Sequence, residues 1–433
     1  MHDGTKSIPK IFANIFISFI GAGVLGVPYA FKEAGIIEGT VILAFTGFIS
    51  TQAMLLLIDC KYKIIMKHAQ YEKLLPVPDE KPAIKSNENS PDKEDKQLKQ
   101  KVGVNHHELE FGDLGNYALG KCGNVLVDGL VVFSQIGFCC GYLIFISENL
   151  VDFMPKYSRN QYLLFMLLPL IILANIRHLK NLSIFSLFAD FANIFAYCVV
   201  FWFDFEHFEK VRNNVHKYSF EGLPFFIGIS VYCYEGAGMI LSLEASVDKD
   251  HRGKFNGLFK LVMFVITTLY ITFGVCGYLS FGENTKNIIT LNLPNGKFPV
   301  IVKSCLMFSL FFTYPIMMFP VSRILEMRLF KNANEMDYYK CMIIRSSLVL
   351  ITLAIVVCIP SFSTLMALIG STCCILLAFI LPASFHLQVF KGELNLCQRM
   401  FDYLLIFLGV VTGCVGTRDA VSRLWHENLE AQP

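Results

Sequence analysis

The segment GAGVLGVPYAFKEAG, residues 21–35, follows the apolar run IFANIFISFI (11–20). It sets Gly21, Gly23, Gly26 and Pro28, and then a Lys32–Glu33 pair, into what otherwise reads as a membrane-crossing helix. Glycine reaches backbone angles closed to other residues, and proline has no N–H to give to the helical ladder. The segment therefore reads as an interruption of the helix. Two purposes are open at this point: close packing through small residues, which Ala22 and Gly26 fit by their spacing, or a ligand site lined by backbone.

The surroundings are membrane-like. Of 433 residues, 54% are hydrophobic and only 17% charged, with 40 phenylalanines, and the mean hydropathy is +0.51. That is too apolar for a soluble domain of this size and points to a polytopic, all-α membrane protein. A spanning helix needs about 20 mostly apolar residues because it rises about 1.5 Å per residue and must satisfy its own backbone. Eleven such stretches are present, near 11–34, 36–58, 124–152, 161–176, 182–203, 223–246, 257–281, 300–327, 342–359, 362–385 and 402–417. The fourth is short. The first follows Lys6 and Lys10 but carries on past Pro28 with no small-residue cleavage site, so it is kept as structure rather than as a signal peptide.

The sixth stretch repeats the interruption. In ISVYCYEGAGMILSLEAS (229–246), Glu235, Gly236, Ala237 and Gly238 break an apolar run five spans after the first break. A tandem unit of five spans enters the membrane from opposite sides, which gives inverted repeats with a broken helix in each. Half-helix ends near the midplane leave N–H groups and a positive dipole end for a carboxylate, and carbonyls for an ammonium group or a cation. An amino acid carries both charges. Gly21, Ala22, Gly23, Val24 and Leu25 are thus expected to offer backbone to such a ligand, with Gly236, Ala237 and Gly238 facing them. The small side chains suit a modest neutral guest.

The long interruption at 59–118 is charge-rich and proline-punctuated and is read as a disordered linker. Lys61, Lys63, Lys67 and Lys73 behind span 2, and Lys101 and Lys121 before span 3, place it in the cytosol. The expected layout is a cytosolic N-terminus (1–10), spans 1–2 (11–58), a linker that can tether a cytosolic partner, spans 3–11 (119–417) and a non-cytosolic tail (418–433). The only sequon noted, Asn181-Leu182-Ser183, falls on the cytosolic side. The 14 cysteines lie mostly inside spans and read as small packing residues, not as a disulfide framework. His106 and His107 sit in the linker without metal-ligand spacing.

Several segments together resemble the amino acid/auxin permease family, in particular its proton-coupled amino acid transporters and vacuolar neutral amino acid transporters. They are IGAGVLGVPYAFKEAG (20–35), SQIGFCCGYLIFISENL (134–150), SLFADFANI (186–194), YEGAGMILSLEASV (234–247), SFGENTKNIITLNLP (280–294) and LFFTYPIMMFPV (310–321). The resemblance implies eleven spans, a cytosolic N-terminus and a fold similar to the bacterial leucine transporter. Spans 1–5 and 6–10 would be the inverted repeats, and a bundle with spans 1 and 6 would rock against a scaffold with spans 3 and 8. It departs in two places: Asn14 stands where proton-coupled animal members carry histidine, and Leu241-Ser242-Leu243-Glu244 where relatives read LPLE. The first puts a histidine-based proton step in doubt. Sodium-coupled relatives imply Thr313 as a span 8 contact, but Phe19 sits where a span 1 amide is expected, which favours protons over sodium.

Tyr232 and Tyr234 are placed to close over the ligand or to pack, and Tyr142 in GFCCGYLIF is the candidate on the opposing span. Glu235 lies at the break, where an ionisable group is costly and functional by default. It is expected to carry the coupled proton or to lock the unwound stretch. Asp190 and Glu244 are further proton-coupling candidates that could equally cap a helix or form a pair. Asp128, Glu148, Arg323 and Glu326 are expected at interfaces or in pairs. Paired intramembrane aspartates, GxSxG and HExxH are all absent, so no enzyme activity, organic cofactor or nucleic-acid partner is expected. The expected function is proton-coupled symport of small neutral amino acids across a lysosomal, vacuolar or plasma membrane. An amino acid sensor is the alternative from another class.

Overall fold

The computed structural model describes residues 7–74, 109–176, 191, 194–195, 197–203, 219–294, 296–330, 338–359 and 361–430. His106, His107, Asn181, Asp190 and residues 75–108 of the expected linker lie outside the described residues. Among the described residues all regular structure is helical. Seven helices are long and apolar enough to cross a membrane, and a bent pair at the N-terminus makes an eighth.

That pair is the first interruption. Helix α1 (Ile8–Phe19) ends at Ile20, Gly21 is fully extended, a short 3-10 stretch runs over Ala22–Gly26, and α2 (Val27–Ala34) resumes. The two helices differ in direction by 49°. Pro28 stands in the first turn of α2, where a missing N–H is harmless, and Gly35 ends that helix at φ 84°, in the left-handed region. A second interruption separates α7 (Leu223–Cys233) from the short α8 (Ile240–Ala245). Both breaks therefore fall where the sequence puts its glycines.

Between them lie α3 (Ile36–Leu74), α4 (Phe111–Leu119), α5 (Lys121–Phe153) and α6 (Arg159–Ala174). Helix α6 has only 16 residues, in keeping with its short apolar stretch. Beyond α8 come α9 (Phe255–Phe281), α10 (Lys297–Leu329), α11 (Tyr338–Cys358), α12 (Phe362–Val389) and α13 (Leu396–Glu430).

Three boundaries differ from expectation. Helix α3 has 39 residues, about 58 Å at 1.5 Å per residue, so it continues well past residue 58 into the segment read as linker. Residues 59–74 hold good helix formers and no glycine or proline before Pro76; their charge marks the end of the membrane, not of the helix. Residues 111–119 are likewise helical. At the other end α13 runs on through most of the expected tail.

Helices touch through glycines. A Cβ on Gly123 would lie 2.1 Å from the Gly115 carbonyl oxygen, and one on Gly370 would lie 1.8 Å from that of Gly228. Backbones this close are what small residues permit between membrane helices. Gly370 opens a π-helical stretch within α12, a distortion that frequently marks a functional position. All 14 cysteines are free thiols, as their scatter through the spans implies. Asp128 pairs with Arg328, Glu326 with Arg345 at 2.8 Å, and Asn287 donates to Glu148 at 3.3 Å.

Candidate functional site

The two breaks pack against each other. A Cβ on Gly236 would fall 2.3 Å from the ring of Phe19, the last residue of α1, and one on Gly23 would lie 3.1 Å from Cys233 Sγ and 3.3 Å from the Tyr232 ring. Two glycines point instead into open space. Among the described residues, a Cβ at Gly21 would meet no atom within 4 Å, and one at Gly238 would meet only Val131 of α5, at 4.0 Å. Both are exposed while their neighbours Ala22, Gly23, Gly236 and Ala237 are buried. On the Gly238 side this open position faces Val131 of α5.

The interruption frees backbone groups, and the protein satisfies part of them. Tyr270 donates its hydroxyl to the Phe19 carbonyl at 2.7 Å, and Tyr197 donates to the Gly21 carbonyl at 2.9 Å. The amide N–H groups of Ala22 and Gly23 make no hydrogen bond among the described residues. Carbonyls held by tyrosines and amides left free form a donor-rich concavity, which can accept a carboxylate. Sequence reasoning missed both tyrosines, whose only signal is a phenol inside an apolar helix, where its hydroxyl needs a partner. Tyr270→Phe is expected to strand the Phe19 carbonyl, costing about 1–3 kcal/mol. The detergent-solubilised variant should melt measurably lower; an unchanged midpoint would mean that water replaces the phenol.

Tyr232 packs between the first break and α5, the helix that carries Tyr142. The Tyr232 ring packs edge-on against Phe138 of α5 at 4.8 Å, over Gly23, and its hydroxyl reaches Gly141 of the same helix. Tyr142, one turn beyond Phe138, is close enough to interact electrostatically with both Tyr232 and Tyr197. Tyr234 points elsewhere. Its hydroxyl donates to Thr267 of α9 at 3.0 Å and crowds Gly47 of α3, so it packs behind the break rather than over the space. Val24 and Leu25 are fully buried, so their side chains are core. Thr313 spends its hydroxyl on the Ser309 carbonyl of its own helix, at 2.8 Å.

The carboxyl candidates part in the same way. Glu235 sits on the non-helical stretch, facing the Gly238 N–H and close to Cys374 in the π-helical part of α12. Among the described residues it has no cationic partner. Glu244 is buried and committed elsewhere: it accepts from Lys61 Nζ at 2.7 Å and from the Tyr62 hydroxyl, with Arg252 Nε at 3.7 Å. This ties α8 to the middle of α3 beside a cavity of about 470 Å³. Its place is a structural ion pair away from the breaks. No cluster of metal-ligating side chains occurs among the described residues.

Polar positions continue from the breaks in one direction. Asn14, Ser18 and Gly21 share one face of α1 and its end, and Gly238, Ser242 and Ser246 repeat every fourth residue through α8; all but the half-buried Ser18 are exposed. Small polar residues along one face of each helix suit a wetted path better than a lipid boundary.

Residues 4–81 and 96–421 match the family described as transmembrane amino acid transporter protein. Three proteins of Arabidopsis thaliana are similar over nearly their whole length. Amino acid transporter AVT3A is 33% identical over 97% of this chain and 90% of its own. Amino acid transporter AVT3C is 34% identical over 96% and 91%, and amino acid transporter ANT1 is 32% identical over 97% and 93%. A solved Na+-coupled sialic acid symporter aligns over 96% of both chains with a TM-score of 0.46 and 11% identity. These relatives are named transporters, not enzymes. An apolar chain with two glycine breaks, matched from residue 4 to residue 421, is a multi-pass membrane protein of the transmembrane amino acid transporter family.

Proposed function

We propose that this protein is a secondary active transporter that moves small neutral amino acids together with protons by alternating access. The observation that carries the reading is the pair of breaks packed on each other, with free amides at Ala22 and Gly23 and open space at Gly21 and Gly238. A substrate carboxylate would sit on those amides, and its ammonium group would face carbonyls of the second break. Eleven spans in two inverted repeats fit the odd spacing of the breaks, with the N-terminus in the cytosol. The polar faces of α1 and α8 would then lead from the cytosol to the site. An acidic organelle, such as a lysosome or vacuole, or the plasma membrane would supply the gradient.

Glu235 would carry the coupling. It is a carboxyl at the break with no cation to pair with among the described residues, and an unpaired charge in hydrocarbon is costly. A proton is the smallest cation that can neutralise it, and its position beside Gly238 lets the ligand sense that exchange. The test is uptake of labelled alanine, glycine and proline into liposomes under an imposed pH gradient and, separately, a sodium gradient. Uptake driven by protons alone is expected, with Glu235→Gln binding substrate but no longer concentrating it. Sodium-driven uptake would reassign the coupling ion. Binding without flux under either gradient, in vesicles shown competent with a control transporter, would make the protein a sensor.

A further inference from the structure

Helix α5 presents one face to the space between the breaks. Val131 lies 4.0 Å from a Cβ placed on Gly238, Phe138 packs on Tyr232, and Tyr142 lies near Tyr232 and Tyr197. These positions follow the i, i+7, i+11 spacing of a single helical face. The missing i+4 member of that series is Gln135. Its Oε1 is shut off from solvent and makes no hydrogen bond. No other hydrogen bond of its carboxamide occurs among the described residues either.

An unmet buried amide oxygen is a standing penalty that a packing residue would not carry. Leucine would fill the same volume without it. The carboxamide is also able to serve as donor or acceptor, since its oxygen and nitrogen exchange places by a half-turn of the terminal group. We propose that Gln135 reads the substrate's side chain and gives the site a preference for amino acids bearing a hydroxyl or amide group over apolar ones of the same shape. This rests on the transport reading above and names the substrate class of that site. The backbone of the breaks handles the groups that all amino acids share; Gln135 handles the part that differs. Val131 and Phe138 on either side restrict its reach to a short side chain.

Threonine and valine differ by one hydroxyl against one methyl group, so their ratio isolates the effect. The full-length protein in liposomes is expected to take up threonine in preference to valine, and Gln135→Leu to cut the threonine-to-valine ratio at least tenfold. Gln135→Met serves as the second variant should leucine disturb packing, and thermal stabilisation by each amino acid in detergent gives a binding ratio independent of flux. An unchanged ratio in a folded variant overturns the assignment, as does equal loss of both solutes or a native preference for valine. Absence of flux in the native protein, with threonine still stabilising it more than valine through Gln135, would overturn transport but support the assignment.

Discussion

Gly370→Ala is expected to destabilise the protein by more than about 3 kcal/mol, the upper end of ordinary overpacking costs. The added Cβ would sit 1.8 Å from the Gly228 carbonyl oxygen and 3.1 Å from the Tyr232 amide nitrogen. Both are backbone atoms, so no side chain can rotate away. From the other side a Cβ on Gly228 would meet the Ala367 carbonyl at 2.6 Å. Helices α7 and α12 thus touch backbone to backbone, and relief requires moving one of them as a body. Because α7 ends at the second break, its displacement would carry Tyr232 and Glu235 with it. The detergent-solubilised variant should aggregate or melt far below the native protein. Gly253→Ala, where a Cβ meets nothing within 4 Å, is the matched control. Equal stability of the two variants would show that the α7–α12 contact is looser than described.

How much of this was legible in the sequence follows from what is local. The breaks were, because glycine and proline act on their own backbone: Gly21, Gly23 and Pro28 end one helix and start another whatever surrounds them. The direction of side chains was less so, though one clue lay in plain view. Tyr232 and Tyr234 are two residues apart at a helix end, a rotation of about 200°, so both could not face the same ligand. The structure gives Tyr232 to the space and Tyr234 to Thr267. Partners distant in sequence were not legible at all. Glu244 meets Lys61 across 183 positions, and nothing near either residue announces the other. The phenols that hold the freed carbonyls came from Tyr197 and Tyr270 for the same reason. The helical extension of α3 was misread because charge was taken as the end of structure, whereas it ends only the apolar surroundings.

The second large effect is expected from Gly236→Ala, and it bears on the site more than on the fold. A Cβ there would lie 2.3 Å from Phe19 Cε1 and 2.4 Å from Cζ. The ring has little room to move. Phe19 is only 3% exposed, and its ring lies 5.7 Å from that of Phe259, which is itself stacked on Phe255. The Phe19 carbonyl is meanwhile fixed by Tyr270. The methyl group must therefore push the two breaks apart, shifting Gly21 and Gly238 relative to each other. Misplacement of about 1 Å at a site that works by geometry costs on the order of a hundredfold, and uptake is expected to fall by that amount while the protein still folds. Phe19→Leu removes the ring atoms that the methyl group strikes, so Gly236→Ala combined with Phe19→Leu should recover much of the loss. Such a rescue would measure a coupling of about 0.5–3 kcal/mol between residues in direct contact. A double variant no better than Gly236→Ala would mean that the two breaks act separately, and that the ligand space is not set by the contact between them.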